Sequence, residues 1–193
     1  MVKSLGLAAA LALAVAGSAQ VQASDGLDSV LMDTSKGCLT GPIEQFGRYI
    51  GDWDIADQVL GQDGKTWSTG NGARWNFTCV GGGIAVQDFW MPNGADGGPP
   101  PGVGTNLRIY DAKTETWQIV WTATNSPGLG HISARQDEGG NIVMHWVNPV
   151  QSPPRRIIFF PPTAEGWDWV MEMSNDEGKS WFPVYKIKAT LRH

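Results

Sequence analysis

From about residue 50 onward the chain alternates apolar and polar positions with a period of two, in short runs. No stretch holds the 3.6-residue period of an amphipathic helix. In 116–124 (TWQIVWTAT) Trp117, Ile119, Trp121 and Ala123 fall on one face, with Gln118 and Thr122 on the other. In 166–174 the apolar face carries Trp167, Trp169, Met171 and Met173, and the polar face Asp168 and Glu172. Ile142, Met144 and Trp146 form a similar set in 141–148. Such runs, rich in Val, Ile, Thr, Phe and Trp and separated by Gly, Pro, Asn and Asp, predict antiparallel strands. The expected strands are 52–60, 66–79, 84–91, 104–111, 116–124, 130–137, 141–148, 155–161, 166–174 and 181–191.

Short connections at DAKTET (111–116), DEGG (137–140) and SNDEGKSW (174–181) read as hairpins. Hairpins keep successive strands adjacent, which predicts an up-and-down meander. So many strands in one domain need two packed faces or a sheet closed on itself, and closure also removes exposed edges. The predicted class is all-β, a single antiparallel up-and-down barrel of about eight to ten strands. One helical turn is expected ahead of it in PIEQFGRYIG (42–51), with Pro42 suited to a first helical position. MPNGADGGPPPGVG (91–104) and NPVQSPP (148–154) are Gly/Pro-rich loops suited to the rim of a binding mouth.

The N-terminus has a different pattern. Lys3 precedes an apolar run from Leu5 to Ala16, and small residues follow in VQA (21–23). This is the layout of a secretory signal peptide cut after Ala23. The run is shorter than the ~18–20 residues that span a bilayer, and no cysteine near the cut would take a lipid. The expected organisation is a signal peptide over 1–23, a polar segment over 24–41 and a barrel domain over 42–193. The destination would be the periplasm or the exterior.

Export changes the reading of the two cysteines, Cys38 and Cys79. In an oxidising compartment a lone pair is most simply a disulfide. Neither lies in a C-x-x-C, and three histidines including the terminal His193 give little material for a metal or redox cofactor. The formal charge of −5 argues against nucleic acid as a partner. NFT (76–78) is a glycosylation sequon if the source glycosylates exported proteins.

Gly51 and Trp53 open the first long strand as Gly-x-Trp after a short helical turn, and Arg192 follows the last. In this the chain resembles the lipocalin-like (calycin) barrels, and its later order is similar to exported bacterial lipocalin-like proteins of unknown function. The matching features are YDAKTETW (110–117), the Gly-rich turn before NIVMHW (141–146), and SNDEGKSW before a final strand. The resemblance implies that Arg192 packs across Trp53 and closes the base of the barrel. It supplies no catalytic set.

The octet also resembles the Asp-box of sialidases and other β-propeller glycan enzymes, through Ser174, Asp176, Gly178 and Trp181. A propeller needs at least four blades, and the chain shows neither blade repeats nor a second octet. The four residues are therefore expected to weld a hairpin. With ten tryptophans in the chain, a barrel interior has ample material. Trp90, Trp121, Trp146 and Trp169 are the expected wall of a site for a small apolar or amphipathic molecule.

Arg108 lies between Leu107 and Ile109, and His145 between Met144 and Trp146, so alternation turns both toward water. Turned inward instead, Arg108 or Arg156 would offer an anion contact. No G-x-S-x-G or H-E-x-x-H occurs. An enzyme on this barrel would rest on His131 or His145 as general base, and a non-catalytic interaction protein would have a filled core.

Overall fold

The computed structural model describes residues 36–192. The expected signal peptide, residues 1–23, lies outside the described residues, as do positions 24–35 of the polar segment. Among the described residues there are eleven strands. They are β1 (Gly51–Leu60), β2 (Trp67–Thr69), β3 (Ala73–Val80), β4 (Ala85–Pro92), β5 (Gly104–Asp111) and β6 (Thr116–Ala123). The second half holds β7 (Ser126–Gln136), β8 (Ile142–Asn148), β9 (Arg155–Phe159), β10 (Trp167–Met173) and β11 (Phe182–Leu191).

All neighbouring strands are antiparallel, and β3 to β11 follow one another in chain order around the sheet. The first strand is the clasp. One edge of β1 pairs with β11 from Trp53↔Leu191 to Val59↔Tyr185. The other edge pairs first with β3, Gly51↔Phe77 to Ile55↔Ala73, and then with β2, Gln58↔Thr69 to Leu60↔Trp67. The result is a closed ten-strand barrel with β2 as a short extra strand beside β1.

The single strand expected over 66–79 is divided, and Asp57 gives the reason. Gly70 N–H donates to the Asp57 backbone oxygen at 2.9 Å, and Gly72 N–H donates to its Oδ1 at 2.8 Å. The inward-facing carboxylate draws the Gly70-Asn71-Gly72 backbone out of the ladder. β7 starts at Ser126, earlier than expected, because β6 and β7 turn tightly with a register shift between Trp121 and Ala123.

A plug closes one end. Single 3₁₀ turns over Lys36–Leu39 and Gly41–Ile43 lead into helix α1 (Glu44–Gly47). Phe46 and Tyr49 from this segment are fully buried. Phe46 meets Trp117 edge-on at 4.9 Å between ring centres, and Tyr49 meets Phe159 at 5.3 Å and Trp167 at 5.2 Å. Burying each such ring contributes about 1.5–3 kcal/mol. Polar ties fix the plug to the wall: Trp117 Nε1–H donates to Gln45 Oε1 at 2.9 Å, and Tyr49 Oη–H to the Phe160 oxygen at 2.9 Å. Burial pushes the Tyr49 hydroxyl up to about 12, with neighbouring Arg48 acting in the opposite sense. The Cys38–Cys79 disulfide joins the first 3₁₀ turn to β3 across 41 residues of sequence, worth about 4 kcal/mol in the chain-entropy account.

Trp53 is buried in this base, its Nε1–H donating to the Tyr49 oxygen at 2.8 Å and its ring edge-on to Trp167. Arg192 takes a different place from the one the resemblance implied. Its backbone N–H donates to the Asp52 oxygen, and its half-exposed guanidinium reaches Asp54 at 3.4 Å. The base is closed by the rings of the plug. No helix among the described residues is long and apolar enough to cross a membrane.

Candidate functional site

The far half of the barrel is not filled. A cavity of about 330 Å³ lies above the plug, lined by Trp75, Trp90, Trp121, Trp146 and Trp169. Ile132, Met144, Ile157, Phe159, Met171, Tyr185 and Ile187 complete most of its wall, and Asn106 and Arg108 add polar groups. Its mouth is at the strand ends joined by 93–103, 149–154 and 174–181, so both Gly/Pro-rich loops and the octet lie at that end.

Small residues seat two of the indoles. A Cβ on Gly104 would run into the Trp121 ring, and one on Gly130 would run into the Trp146 ring. Each indole therefore lies against bare backbone of the neighbouring strand. Trp146 turns its Cε3–Cζ3 edge to Gly130, which leaves its Nε1 edge facing away.

At the boundary between cavity and plug, Arg108 and Asp88 form an ion pair with both side chains fully buried. Arg108 Nη2–H donates to Asp88 Oδ2 at 2.6 Å. Trp75 Nε1–H donates to the same oxygen at 2.9 Å, and Asn106 supplies its backbone N–H to Oδ1 at 2.8 Å. The Asn106 side-chain amide lies 3.1 Å from both oxygens. The carboxylate is saturated. The guanidinium is not, because Nε and Nη1 are buried without a hydrogen-bond partner. Instead its Cζ sits 4.7 Å from the centre of Phe46 and 5.1 Å from that of Phe77. Such cation–π contacts compensate part of the desolvation.

This inverts the alternation read from sequence on β5. Leu107 and Ile109 face out, with exposures of 39% and 51%, and Arg108 faces in. The partner that turns it, Asp88, was not legible from β5 alone. It lies on β4, opposite Asn106 in the register.

Across the cavity, Tyr185 Oη–H donates to Asp57 Oδ2 at 2.7 Å. Burial first, and the bond to Asp57 second, raise the Tyr185 hydroxyl well above its ordinary range. Sequence reasoning had singled out neither residue. The alternation in β1, with Trp53, Ile55 and Asp57 on one face, is the signal that would have placed Asp57 inside.

Trp90, Trp121, Trp146, Trp169 and Arg108 thus all meet at one cavity. Arg156 is placed elsewhere. On β9, Ile157 and Phe159 point inward and Arg156 outward. It pairs with Glu172 at 2.6 Å and lies 4.5 Å above the Trp181 ring.

Both candidate bases also face outward. His131 Nε2 is 2.8 Å from Gln118 Oε1, and the His145 ring lies 6.3 Å from that of Trp181. Partial burial, and then the charge of Arg156, hold the His145 imidazole below its ordinary 6.5.

The octet forms a closed hydrogen-bonded turn. Buried Ser174 donates to Asp176 Oδ1 at 2.7 Å and accepts from the N–H groups of Asp176 and Gly178. Asp176 accepts from the backbone and hydroxyl of Ser180, at 2.8 and 2.6 Å. These bonds hold its carboxyl at about 2, below the ordinary 3.8. Gly178 has φ +89°, which favours glycine, and Trp181 lies beside it.

An antiparallel barrel wound in chain order, plugged by a short helical segment and hollow at the other end, has the fold of a lipocalin-like barrel. Two solved structures share the architecture. The S-type phycobiliprotein lyase CpeS from Guillardia theta aligns with a TM-score of 0.55 at 11% identity, over 81% of this chain and 96% of its own. Rv2717c from M. tuberculosis aligns with a TM-score of 0.52 at 8% identity, over 80% of this chain and 99% of its own. No family model and no curated protein sequence matches the chain.

Proposed function

We propose that the protein is an exported container that holds one small apolar or amphipathic molecule inside the barrel. In this reading residues 1–23 are a removable leader, 24–41 a polar lead-in and 42–193 the barrel domain. The observation that carries the reading is the unfilled, tryptophan-lined cavity of about 330 Å³ above a fully packed plug. A chain that needed only a stable core would gain by filling this space, since voids forfeit dispersion contacts. Holding apolar surface there returns about 25 cal/mol for each Å² removed from water. The leader-like N-terminus and the disulfide support export.

The enzyme alternative loses its named bases, because His131 and His145 lie on the outer face. A filled-core interaction protein is hard to reconcile with the cavity.

Two measurements test the container. Native mass spectrometry of protein recovered from its own exported compartment is expected to show a stoichiometric small-molecule adduct. Titration with neutral N-phenyl-1-naphthylamine is expected to quench tryptophan fluorescence saturably at one site. Trp169→Ala should weaken that binding about tenfold or more, from the loss of a buried aromatic contact. A bare mass together with no saturable quenching sinks the proposal.

A further inference from the structure

The wall of the cavity has hydrogen-bond donors in excess of acceptors. Among the tryptophans of the packed base, Trp53 spends its N–H on the Tyr49 oxygen and Trp117 on Gln45, while Trp167 Nε1 is buried against rings without a partner. Of the five that line the cavity, Trp75 spends its N–H on Asp88. The other four, Trp90, Trp121, Trp146 and Trp169, have no hydrogen-bond partner for Nε1 among the described residues. An indole N–H can only donate, and buried ones ordinarily find an acceptor. Trp169 is the most buried residue of the four, at 6% exposure.

The charge balance points away from an anion. Arg108 is the guanidinium at the cavity floor, and Asp88 already opposes it at 2.6 Å. A second carboxylate, Asp57, stands on the other wall behind Tyr185. The interior thus holds two carboxylates against one guanidinium. A ligand carboxylate would enter a low-dielectric space where the charge of Arg108 is already balanced by Asp88, although its Nε and Nη1 keep donors that a neutral carbonyl oxygen can equally use. Arg155 is exposed at the mouth end of β9, on the same side of the strand as Ile157 and Phe159, in a second pocket that shares Met171 and Tyr185 with the cavity wall.

We propose that the cavity selects a neutral, flat, acceptor-bearing ligand, such as an aromatic ketone, quinone or ester, whose oxygens accept from these indole N–H groups. The inference rests on the container reading and narrows its ligand class. Flat rings suit a wall of indoles, and carbonyl oxygens suit donors that have no other use. A pure hydrocarbon would leave the donors unsatisfied. A carboxylate would satisfy them but oppose Asp88 and Asp57.

Three matched compounds separate these cases by calorimetric or fluorescence titration. Diphenylmethane has two rings and no acceptor, benzophenone adds one neutral carbonyl, and 4-benzoylbenzoate adds a carboxylate to that. Benzophenone is expected to bind about three- to tenfold tighter than diphenylmethane, the value of one net hydrogen bond. 4-Benzoylbenzoate should bind more weakly than benzophenone. Among Trp90→Phe, Trp121→Phe, Trp146→Phe and Trp169→Phe, which keep a ring and delete the donor, at least one should erase the benzophenone advantage while diphenylmethane binding holds. A merely structural tryptophan would shift both compounds together.

Equal binding of benzophenone and diphenylmethane overturns the donor assignment and leaves the container standing. Equal or tighter binding of 4-benzoylbenzoate overturns the neutral-ligand assignment in favour of an anion held at Arg108 or Arg155. Failure of all three compounds to bind overturns the inference, while the container stands or falls on the co-purified adduct and the N-phenyl-1-naphthylamine titration.

Discussion

Arg108 shows what a single residue can hide in a sequence. Flanked by Leu107 and Ile109, it reads as the solvated position of an amphipathic strand, yet its side chain is fully buried and the leucine and isoleucine face out. The correct phase depends on Asp88, which is 20 residues away in sequence. Hydrophobic alternation assumes that the buried face is the apolar one, and a buried ion pair breaks that assumption. The tryptophans were legible for the opposite reason. Trp117, Trp121, Trp167 and Trp169 lie in runs where burial and hydrophobicity agree. The buried pair makes a direct prediction. Asp88→Ala leaves the guanidinium without its counter-charge and Trp75 without its acceptor, so it should cost about 3–5 kcal/mol. Urea denaturation followed by circular dichroism measures this, and a loss below about 1 kcal/mol would contradict the role given to the pair.

At the level of elements, the hairpins were the most legible part of the chain, because their chemistry is local. Three of the turns recognised from sequence are each organised by one aspartate: Asp111 with Lys113 and Thr114, Asp137 with Asn141, and Asp176 with Ser174 and Ser180. The break between β2 and β3 was not legible, since it depends on Asp57 of another strand. Hydrogen bonds to the charged form lower all three turn carboxyls. For Asp176 the folded value of about 2 lies below the ordinary 3.8. Its contribution is therefore fully present above pH 3.8 and is lost as pH falls toward 2. Asp176→Asn should lower stability at neutral pH, and the gap to the parent protein should close over that acid window. Parallel thermal melts across pH test this, and a gap independent of pH would show that the carboxylate charge has no part in the turn.

Over the whole molecule, the barrel has one dense half and one hollow half, divided at the Arg108–Asp88 pair. The dense half is tied by covalent and polar links, Cys38 to Cys79, Trp117 to Gln45 and Tyr49 to Phe160. The hollow half faces the Gly/Pro-rich loops. Meander order and closure followed from hairpin lengths and the need to hide edges. The cavity did not, because sequence counts the large side chains without showing how far they reach. Trp121 and Trp146 set a ring edge against the bare backbone of Gly104 and Gly130, so two of the bulkiest residues are seated close to the wall.

The clasp between β1 and β11 has a consequence in time. Trp53 must find Leu191, and Val59 must find Tyr185, so the ring cannot shut until β11 has been made and is free to pair. Until then β1 has an unpaired edge, which favours association with other chains. Closure over such a long loop is slow compared with hairpin formation. In pulse-labelled hydrogen exchange during refolding, amides of β5 to β8 should gain protection before those joining β1 to β11. Simultaneous protection would mean that the ends meet first and the meander is laid down between them.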